Sequence, residues 1–473
     1  MLTSILLMGF IMRLYRINNP IADWHSWRQA DTASVSRIYL EKGINLLYPK
    51  YHDISSIQTG IFNPEGYRMV EFPIYNALNA FFASSFNSIS LEVWARLISI
   101  SFALLSALGL YFIGKRILGK WGGLLSAFFF LFIPYNIYFT RVILPEPLGV
   151  AAAVWGLYLF MVYVEKENKV TLFISSILFA ISLLIKPFFA FYLLPAAYLL
   201  VSKHGLSALQ KNKKYLTTFV MFFLIVFLPL LIWRKWISNF PEGIPFFEWA
   251  FNGDRIRFHP AFWRWIFGER IGHLILGSWG LIPLLFGVIS SKPKKYFVNW
   301  FLFSMFLYLS IVATANVRHD YYQIMIIPAL SLGLASGIIY LWTNEVFNKE
   351  LSKVIAVFSV LVMLITGWSL VKDNFNVNHP ELIEIGKEVD RITPKDAQII
   401  IPYNGDTAFL YQTHRSGWPA VDDSIENIIE RGADYFVSID FNHPDTIKVL
   451  QTYQVLEKTD KFVIVDLHKP IKK

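Results

Sequence analysis

Long apolar runs restrict what this chain can fold into more than any other feature of its sequence. Segments of about 18 to 22 mostly apolar residues recur along the first three quarters, long enough to cross roughly 30 Å of hydrocarbon as helices. Charged residues make up only 16% of the 473 residues, and the mean hydropathy is +0.45. Soluble domains carry about 25% charged residues. The sequence therefore predicts a polytopic helical membrane protein.

The apolar pattern predicts about eleven membrane-spanning helices. They cover approximately residues 2–18, 94–113, 122–140, 147–164, 170–185, 188–202, 215–233, 271–290, 297–314, 321–342 and 353–371. The first span is the weakest, because Arg13 and Arg16 interrupt it early. It has no signal-peptide cleavage site, and one explanation of its shortness is that the true start lies upstream.

The short loops on one side of the predicted bundle are basic, and they set its predicted orientation. These loops are "GKRILGK", "EKENK", "SKHGLSALQKNKK", "SSKPKK" and "NEVFNKELSK". Because cytoplasmic loops carry an excess of lysine and arginine, these loops are predicted to be cytoplasmic. Residues 19–93, residues 234–270 and the tail from residue 372 are then extracytoplasmic. This distribution explains the net charge of +9, and no soluble basic tract with interleaved aromatics indicates nucleic-acid binding.

The tail has a different pattern from the rest of the chain. Helical patterns in "HPELIEIGKEVDRI", "SIENIIERG" and "HPDTIKVLQTY" alternate with strand patterns in "AQIIIPY", "ADYFVSID" and "KFVIVDL". Such alternation at short spacing is typical of a small α/β domain. We therefore predict an all-α transmembrane domain over residues 1–371 and an extracytoplasmic α/β domain over residues 372–473. The chain has no cysteine, which excludes disulfides and thiolate metal sites.

The first outer segment also has helical patterns of its own. Trp24, Trp27 and Asp31 are spaced so that they share one face of a helix. Residues 72–86 form an apolar stretch that is too short and too interrupted to span a bilayer, which favours a helix lying in the membrane interface. The segment is therefore predicted to carry amphipathic helices rather than a plain linker.

Ionisable and polar side chains collect in the predicted outer segments and at the outer ends of spans. The candidate site residues are Arg28, Asp31, Glu71, Arg141, Glu146, Lys186, His259, Arg318, His319 and Tyr321. A transport pathway would instead place ionisable groups near the middle of the bilayer, often in paired broken helices. The convergence of these residues on one side of the membrane predicts a functional site there.

Each candidate also has an ordinary structural interpretation. Asp31 can form a surface ion pair with Arg28. Glu146 follows Pro145 at a helix start, where an acidic residue favours the helix dipole, and Lys186 at a helix end can extend towards the headgroups. The two histidines are more often hydrogen-bonded structural groups than ligands. No single residue is decisive.

The order of these residues resembles that of a known family. A first-loop carboxylate in "WRQADTA" is followed by "EFPIYNAL", then "RVILPE", then "IKPFF", and late in the chain by "FHPAFW" and "RHDYYQIMIIPAL". This order resembles the protein-mannosyltransferase-like membrane glycosyltransferases, glycosyltransferase family 39 of the GT-C superfold. The aminoarabinose lipid A transferases are more distant relatives. The resemblance covers the whole predicted membrane part.

The resemblance implies a multispan GT-C-like bundle that transfers a sugar from a polyprenyl-phosphate donor to a lipid, glycan or protein acceptor outside the cytoplasm. Asp31 matches the family's first-loop aspartate, which implies that it is the general base. Protein mannosyltransferases usually have Asp-Glu at this point, whereas Thr32 follows Asp31 here. This difference argues against a two-carboxylate arrangement and a protein acceptor.

The chemistry of the candidates agrees with this reaction. The phosphate that leaves such a donor needs stabilisation of its charge, and Lys186 is the first candidate to supply it, ahead of Arg141 and Arg318. A carboxylate such as Asp31 takes the proton of the acceptor hydroxyl. Glu71 is predicted to act with Asp31, and both Glu71 and Glu146 would orient the acceptor or hold the basic residues. Attack opposite the leaving phosphate predicts inversion at the anomeric carbon.

Alternatives remain open from the sequence alone. Glu71, His259 and His319 have the chemistry to hold a divalent ion, but their spacing gives no metal signature, so no cofactor is assigned. A polytopic transporter or lipid flippase is the alternative function, and it would move its substrate without forming a glycosidic bond. A non-catalytic membrane scaffold with a partner-binding tail is a third interpretation. The sequence identifies neither the sugar, nor the carrier length, nor the acceptor.

Overall fold

The computed structural model describes residues 1–207, 213–289 and 296–471. The chain forms two compact units, each assembled from separate stretches of sequence. The first unit contains Met1–Ile17, Arg96–Arg234 and Phe247–Phe375, and the second contains Asn18–Ala95, Lys235–Phe246 and Asn376–Lys473. The predicted cytoplasmic loop "SSKPKK" and part of "SKHGLSALQKNKK" lie outside the described residues, as does the end of the predicted span 271–290.

Helices make up most of the described chain. In chain order they are α1 (Leu2–Arg13), α2 (Ser26–Lys42), α3 (Ile74–Ser85), α4 (Leu91–Phe132), α5 (Pro134–Phe139), α6 (Glu146–Lys166), α7 (Lys169–Ile185), α8 (Leu193–His204), α9 (Lys213–Ile237), α10 (Trp249–Asn252), α11 (Pro260–Trp263), α12 (Leu281–Ile289), α13 (Tyr296–Ile311), α14 (Ala313–Arg318), α15 (Ile327–Thr343), α16 (Lys349–Val371), α17 (Pro380–Ile392), α18 (Thr407–Gln412), α19 (Ile425–Glu430) and α20 (Pro444–Thr452). A π-helical segment, Arg264–Ile275, follows α11, and 3₁₀ segments include Pro187–Tyr192 and Asp320–Ile326.

The first unit is an all-α bundle of apolar helices. Within the described residues, five helices are long and apolar enough to cross a membrane: Leu91–Phe132, Glu146–Lys166, Tyr215–Ile237, Asp320–Thr343 and Lys349–Ile392. Shorter apolar helices cover Leu2–Arg13, Lys169–Ile185 and Tyr296–Ile311. The predicted all-α membrane architecture is confirmed, whereas the number of eleven spans remains a prediction.

Glycines allow two local features of this bundle. Gly119 has φ +80°, a conformation that side chains with a Cβ rarely adopt, and it divides the long helix α4 between the predicted spans 94–113 and 122–140. Gly337 on α15 lies so close to α12 that an added Cβ would be 1.6 Å from the carbonyl oxygen of Pro283. Small residues at such crossings let helix backbones approach and pack in a membrane protein.

The second unit contains a five-stranded mixed sheet. Its strands are β1 (Gln398–Ile400), β2 (Ser416–Trp418), β3 (Tyr435–Ser438), β4 (Tyr453–Lys458) and β5 (Val463–Pro470), in the order β2-β1-β3-β5-β4. Strand β1 is parallel to β2 and β3, and β5 is antiparallel to β3 and β4. The predicted small C-terminal α/β arrangement is thus present, with three elements that the sequence pattern did not indicate: α18, β2 and β4.

The first outer segment belongs to the same unit as this sheet. The amide of Ile54 donates to the carbonyl of Gly417 over 3.0 Å, and the amide of Gly417 donates to the carbonyl of His52 over 2.9 Å. Residues 52–54 therefore extend the sheet beside β2. On α2, Arg37 donates to the carbonyl of Tyr411 over 2.7 Å, and its guanidinium carbon lies 3.5 Å from the centroid of that ring.

The two predicted helices of the first outer segment are present as α2 and α3. Helix α2 begins at Ser26, after His25 in a left-handed conformation with φ 56°. The expectation that Trp24 shares a helix face with Trp27 and Asp31 is therefore wrong, because Trp24 precedes the helix. Helix α3, Ile74–Ser85, lies within the predicted stretch 72–86. Its position in a membrane interface remains a prediction.

Candidate functional site

The predicted site residues fall into two groups, one in each unit. In the second unit, Asp31 lies on α2 and is 1% exposed. Its Oδ2 is 2.8 Å from Nη2 of Arg68, and its Oδ1 accepts a 2.7 Å hydrogen bond from the Thr407 hydroxyl at the start of α18. Asp31 is therefore a buried carboxylate held by the first outer segment and by the tail together.

A second ion pair lies beside Asp31. Nη2 of Arg28, one turn earlier on α2, is 2.8 Å from Oε1 of Glu71. Arg28, Asp31, Arg68, Glu71 and Asn76 line a common cavity of about 10 Å³, which is about the space of one water molecule. The sequence-predicted residues Arg28, Asp31 and Glu71 are thus brought together, and the two arginines balance the two carboxylates.

Two more carboxylates lie near Asp31. The pKa of Asp53 is raised to about 6, mainly by burial. The charge of Asp31 also raises this pKa, whereas hydrogen bonds from Ser55 lower it. Burial likewise raises the pKa of Asp406 to about 6, with a smaller contribution from Asp31. The Nε2 atom of Gln58 lies 3.5 Å from Oδ2 of both Asp31 and Asp53. Asp31 and Asp53 therefore both lie next to the amide of Gln58, and Asp406 is close enough to Asp31 for their charges to interact.

In the first unit, Lys186 and Glu146 form a buried pair. Lys186 ends α7 in an extended conformation because Pro187 follows it, and Glu146 begins α6. The ammonium group of Lys186 donates to Oε1 of Glu146, and it lies 4.1 Å from the ring centroid of Tyr322 and 5.2 Å from that of Tyr321. The side chain of Lys186 is 14% exposed. A cation is therefore held between a carboxylate and two aromatic faces.

The loop after α14 places Arg318, His319 and Tyr321 in different surroundings. Arg318 is exposed, with Nη2 3.7 Å from Oδ2 of Asp254. The His319 ring is 5.7 Å from that of Trp249 and stacks on Tyr321 at 5.6 Å. Tyr321 is buried, and the stacked rings connect the histidine to the surroundings of Lys186.

Arg141 and His259 have contrasting positions. Arg141 is fully buried, its Nη2 donates to the carbonyl of Arg16 over 2.8 Å, and its guanidinium carbon lies 5.1 Å from the ring of Phe375. These contacts favour a structural role for Arg141. His259 is exposed immediately before α11.

Several residues that complete these two groups have no recognisable pattern in the sequence. Arg68, Gln58 and Thr407 contact Asp31 from distant positions, and no spacing in the sequence marks them. In the first unit, Nη1 of Arg270 lies 3.6 Å from Oδ2 of Asp320, and the Tyr135 hydroxyl donates to the Asp320 carbonyl over 2.5 Å. Asp320 lies in the motif "RHDYYQ", but no motif or spacing in the sequence marks its arginine partner.

In the ranges 1–207, 213–289 and 296–471, no group of three or more His, Cys, Asp or Glu side chains is arranged to hold a metal ion. The set of Glu71, His259 and His319 considered from the sequence is therefore not such a group.

The central part of the chain matches a known family in sequence. The family described as dolichyl-phosphate-mannose-protein mannosyltransferase matches residues 73–233. The predicted family resemblance is confirmed. The matched region includes α6 and α7, which supply Glu146 and Lys186. No curated protein matches the chain.

Solved structures of membrane transferases are similar to this chain in fold. ArnT from Cupriavidus metallidurans bound to undecaprenyl phosphate is similar, with a TM-score of 0.62 and 12% identity over 98% of this chain and 97% of that chain. The same ArnT in the apo state has a TM-score of 0.64 and 12% identity, over 98% of this chain and 96% of that chain. The Archaeoglobus fulgidus oligosaccharyltransferase in complex with Zn and sulfate has a TM-score of 0.57 and 11% identity, over 92% of this chain and 67% of that chain.

These likenesses show the fold, which is that of the GT-C membrane transferases. The family match adds the class of enzyme. Together they support a membrane glycosyltransferase.

Proposed function

We propose that this protein transfers a monosaccharide from a polyprenyl-phosphate donor to a lipid, glycan or protein hydroxyl on the extracytoplasmic side of a membrane. The family match over residues 73–233 supports the type of reaction. The similarity in fold to an ArnT structure bound to undecaprenyl phosphate supports the class of donor. The basic loops of the sequence support the extracytoplasmic side.

The environment of Lys186 is the observation that carries this proposal. A phosphodiester donor needs a positive charge placed where negative charge develops on the leaving phosphate. Lys186 provides a largely buried ammonium group in the helical unit, oriented by Glu146 and by the rings of Tyr321 and Tyr322. We assign to Lys186 the contact with the donor phosphate, and to Glu146 the task of holding Lys186.

Asp31 is the proposed general base. Its two oxygens accept from Arg68 and Thr407, and since a carboxylate has about four acceptor sites, capacity for an acceptor hydroxyl remains. As the hydroxyl oxygen bonds to the anomeric carbon, its proton moves to Asp31. The bond from that carbon to the phosphate oxygen breaks, and the carrier phosphate leaves with the electron pair. Direct attack by the acceptor hydroxyl, with a single base and no covalent intermediate on the protein, predicts inversion at the anomeric carbon.

The test is a transfer assay with purified protein in lipid nanodiscs. Isotope-labelled hexose and pentose phosphodiesters of a short polyprenol serve as donors, and an extract of envelope lipids and glycans serves as acceptor. Asp31→Asn is expected to lower kcat by about 10²–10⁴-fold while donor binding is retained. Lys186→Ala is expected to weaken donor binding more than acceptor binding.

The matched control is Asp460→Asn, which makes the same change at an exposed position of the second unit. It is expected to transfer sugar at the rate of the unaltered protein. Full activity of Asp31→Asn would remove Asp31 from the base role. Movement of the donor across a sealed vesicle, without any new glycosidic bond, would favour a transporter or flippase instead.

A further inference from the structure

The carboxylate of Asp31 is one of several buried acidic groups in the second unit. The charged and titratable groups around it are Arg28 and Glu71 across the cavity, Arg68 from the loop, Asp53 and Tyr51 from the segment beside β2, and Asp406 immediately before α18. Arg28 contacts Glu71. Arg68 contacts Asp31 directly, with 2.8 Å between Nη2 and Oδ2.

Arg68 makes contacts with three parts of this cluster. Its Nη2 is 2.8 Å from Oδ2 of Asp31, and its Nη1 donates to Oε1 of Gln58 over 2.5 Å. Its guanidinium carbon lies 5.1 Å from the centroid of the Tyr51 ring. The planar guanidinium group is thereby fixed in one orientation.

Gln58 is oriented by Arg68 in turn. Because the side-chain oxygen of Gln58 accepts from Arg68, its NH₂ group faces the Oδ2 atoms of Asp31 and Asp53, at 3.5 Å from each. A neutral donor thus separates two carboxylates that would otherwise repel each other directly.

We propose that Arg68 and Gln58 are positioning residues that keep Asp31 ionised and correctly oriented as the general base. This inference rests on the proposed function, in which Asp31 takes the proton of the acceptor. A buried carboxylate among other carboxylates binds a proton more readily, whereas an adjacent cation favours its charged form. Removal of Arg68 would take away the cation that contacts Asp31 and leave the repulsion from the neighbouring carboxylates, which disfavours the charged form that a base requires.

The neighbouring acids make this effect depend on pH. Burial raises the pKa of Asp53 and of Asp406 to about 6 each. Both groups therefore gain negative charge between about pH 5 and pH 7, in the range where the base must be ionised. The positive charge of Arg68 offsets the repulsion that ionised Asp53 and Asp406 exert on Asp31. The amide of Gln58 is neutral and therefore adds no repulsion.

The experiment compares pH–rate profiles of the full-length protein in nanodiscs, with the polyprenyl-phosphate donor that supports transfer. Arg68→Met removes the positive charge, and Gln58→Glu adds a negative one with almost no change in size. Arg68→Lys restores the charge without the two-pronged contact. Arg37→Met is the control, because it removes another buried arginine of the same unit, one that pairs with Glu92 and Tyr411.

Both Arg68→Met and Gln58→Glu are expected to move the acid limb of kcat upward by about one pH unit or more, which is about a tenfold loss of kcat on that limb. The KM for the donor stays within about twofold, because uniform binding is unchanged. Arg68→Lys restores the charge, so its acid limb is expected to lie close to that of the unaltered protein. Arg37→Met is expected to leave the acid limb in place even if it lowers thermal stability.

The outcomes separate this inference from the proposed function. Transfer that persists in Asp31→Asn, or is absent from the unaltered protein, overturns the proposed function. If Asp31→Asn abolishes transfer but Arg68→Met and Gln58→Glu keep the original acid limb, only the positioning role is overturned. A fall in kcat that is equal at every pH, with no movement of the limb, also contradicts it, since a merely structural role would give that result.

Discussion

At the scale of single residues, contacts from distant parts of the chain hold the carboxylate of Asp31 in place. Asp31, Glu71 and Arg28 were predicted from one segment and lie around one cavity. Arg68 and Thr407 were not predicted, because Thr407 is 376 positions away from Asp31 and only the fold brings their oxygens to 2.7 Å. An ion pair is a short-range interaction in space, and a single sequence records no such distance.

The buried acid Asp53 gives a prediction about stability and pH. Its pKa is raised by burial from 3.8 to about 6 in the folded protein. The folded state thus binds a proton more tightly than the unfolded state, and the stability this provides is complete below about pH 4 and is lost as pH rises through 6. Asparagine does not ionise, so Asp53→Asn should not lose stability as the pH rises through 6. Its side-chain oxygen can still accept the hydrogen bonds that Ser55 donates to Asp53.

The free energy of unfolding of Asp53→Asn, relative to the unaltered protein, is therefore expected to increase by up to about 3 kcal/mol between pH 4 and pH 7. Thermal or chemical unfolding in detergent at a series of pH values measures it. Asp440→Asn, at an exposed position of the same unit, is the control. A difference that does not change with pH would show that Asp53 is ionised in the folded protein at low pH.

At the scale of secondary structure, the helices and strands with long, regular apolar patterns were predicted correctly, and the short ones were not. Apolar runs gave helices such as α6 and α16, and "KFVIVDL" gave β5, because each pattern repeats over several residues. Strand β2 is only three residues long and contains a glycine. It exists because β1 and residues 52–54 pair with it on either side, which is a non-local cause that local propensity does not express.

The glycine in β2 leads to a prediction about this sheet edge. A Cβ added at Gly417 would lie 1.8 Å from the carbonyl oxygen of Ile399 and 2.8 Å from its amide nitrogen, both backbone atoms. Gly417→Ala must therefore separate β2 from β1 or from the segment that contains His52 and Ile54. We expect a loss of several kcal/mol, in the range of about 2–4 kcal/mol for severe steric substitutions.

Hydrogen exchange followed by mass spectrometry checks this prediction locally. Peptides that contain Ile54 and Gly417 should exchange faster in Gly417→Ala, because the hydrogen bonds between these residues are weakened. Ser416→Ala, one position earlier in the same strand, removes a hydroxyl without adding a Cβ and serves as the control. Unchanged protection of both peptides in Gly417→Ala would contradict the close approach at this position.

At the scale of the whole molecule, the units are not the contiguous domains that a sequence suggests. The predicted boundary between residues 371 and 372 reflects a change in composition, whereas the second unit combines Asn18–Ala95 and Lys235–Phe246 with Asn376–Lys473. A composition change marks where apolar spans end, but it does not show which outer segments fold together. The hydrogen bonds between residues 52–54 and Gly417 supply that information.

The orientation of the chain in the membrane is the last prediction, and it follows from charge. The basic loop "GKRILGK" is predicted to be cytoplasmic and the tail extracytoplasmic. Because the natural sequence contains no cysteine, a single cysteine at either position is the only thiol. Lys120→Cys and Asp460→Cys are both at exposed positions, and Lys115 and Arg116 remain to preserve the charge of the loop.

In sealed right-side-out vesicles, a membrane-impermeant maleimide is expected to label Asp460→Cys at once and Lys120→Cys only after detergent is added. The unaltered protein, which has no thiol, gives the background. Labelling of Lys120→Cys alone would reverse the orientation and place the proposed base Asp31 on the cytoplasmic side. A polyprenyl-phosphate sugar would then have to be used on the cytoplasmic face, since the unit that contains both Asp460 and Asp31 would lie there.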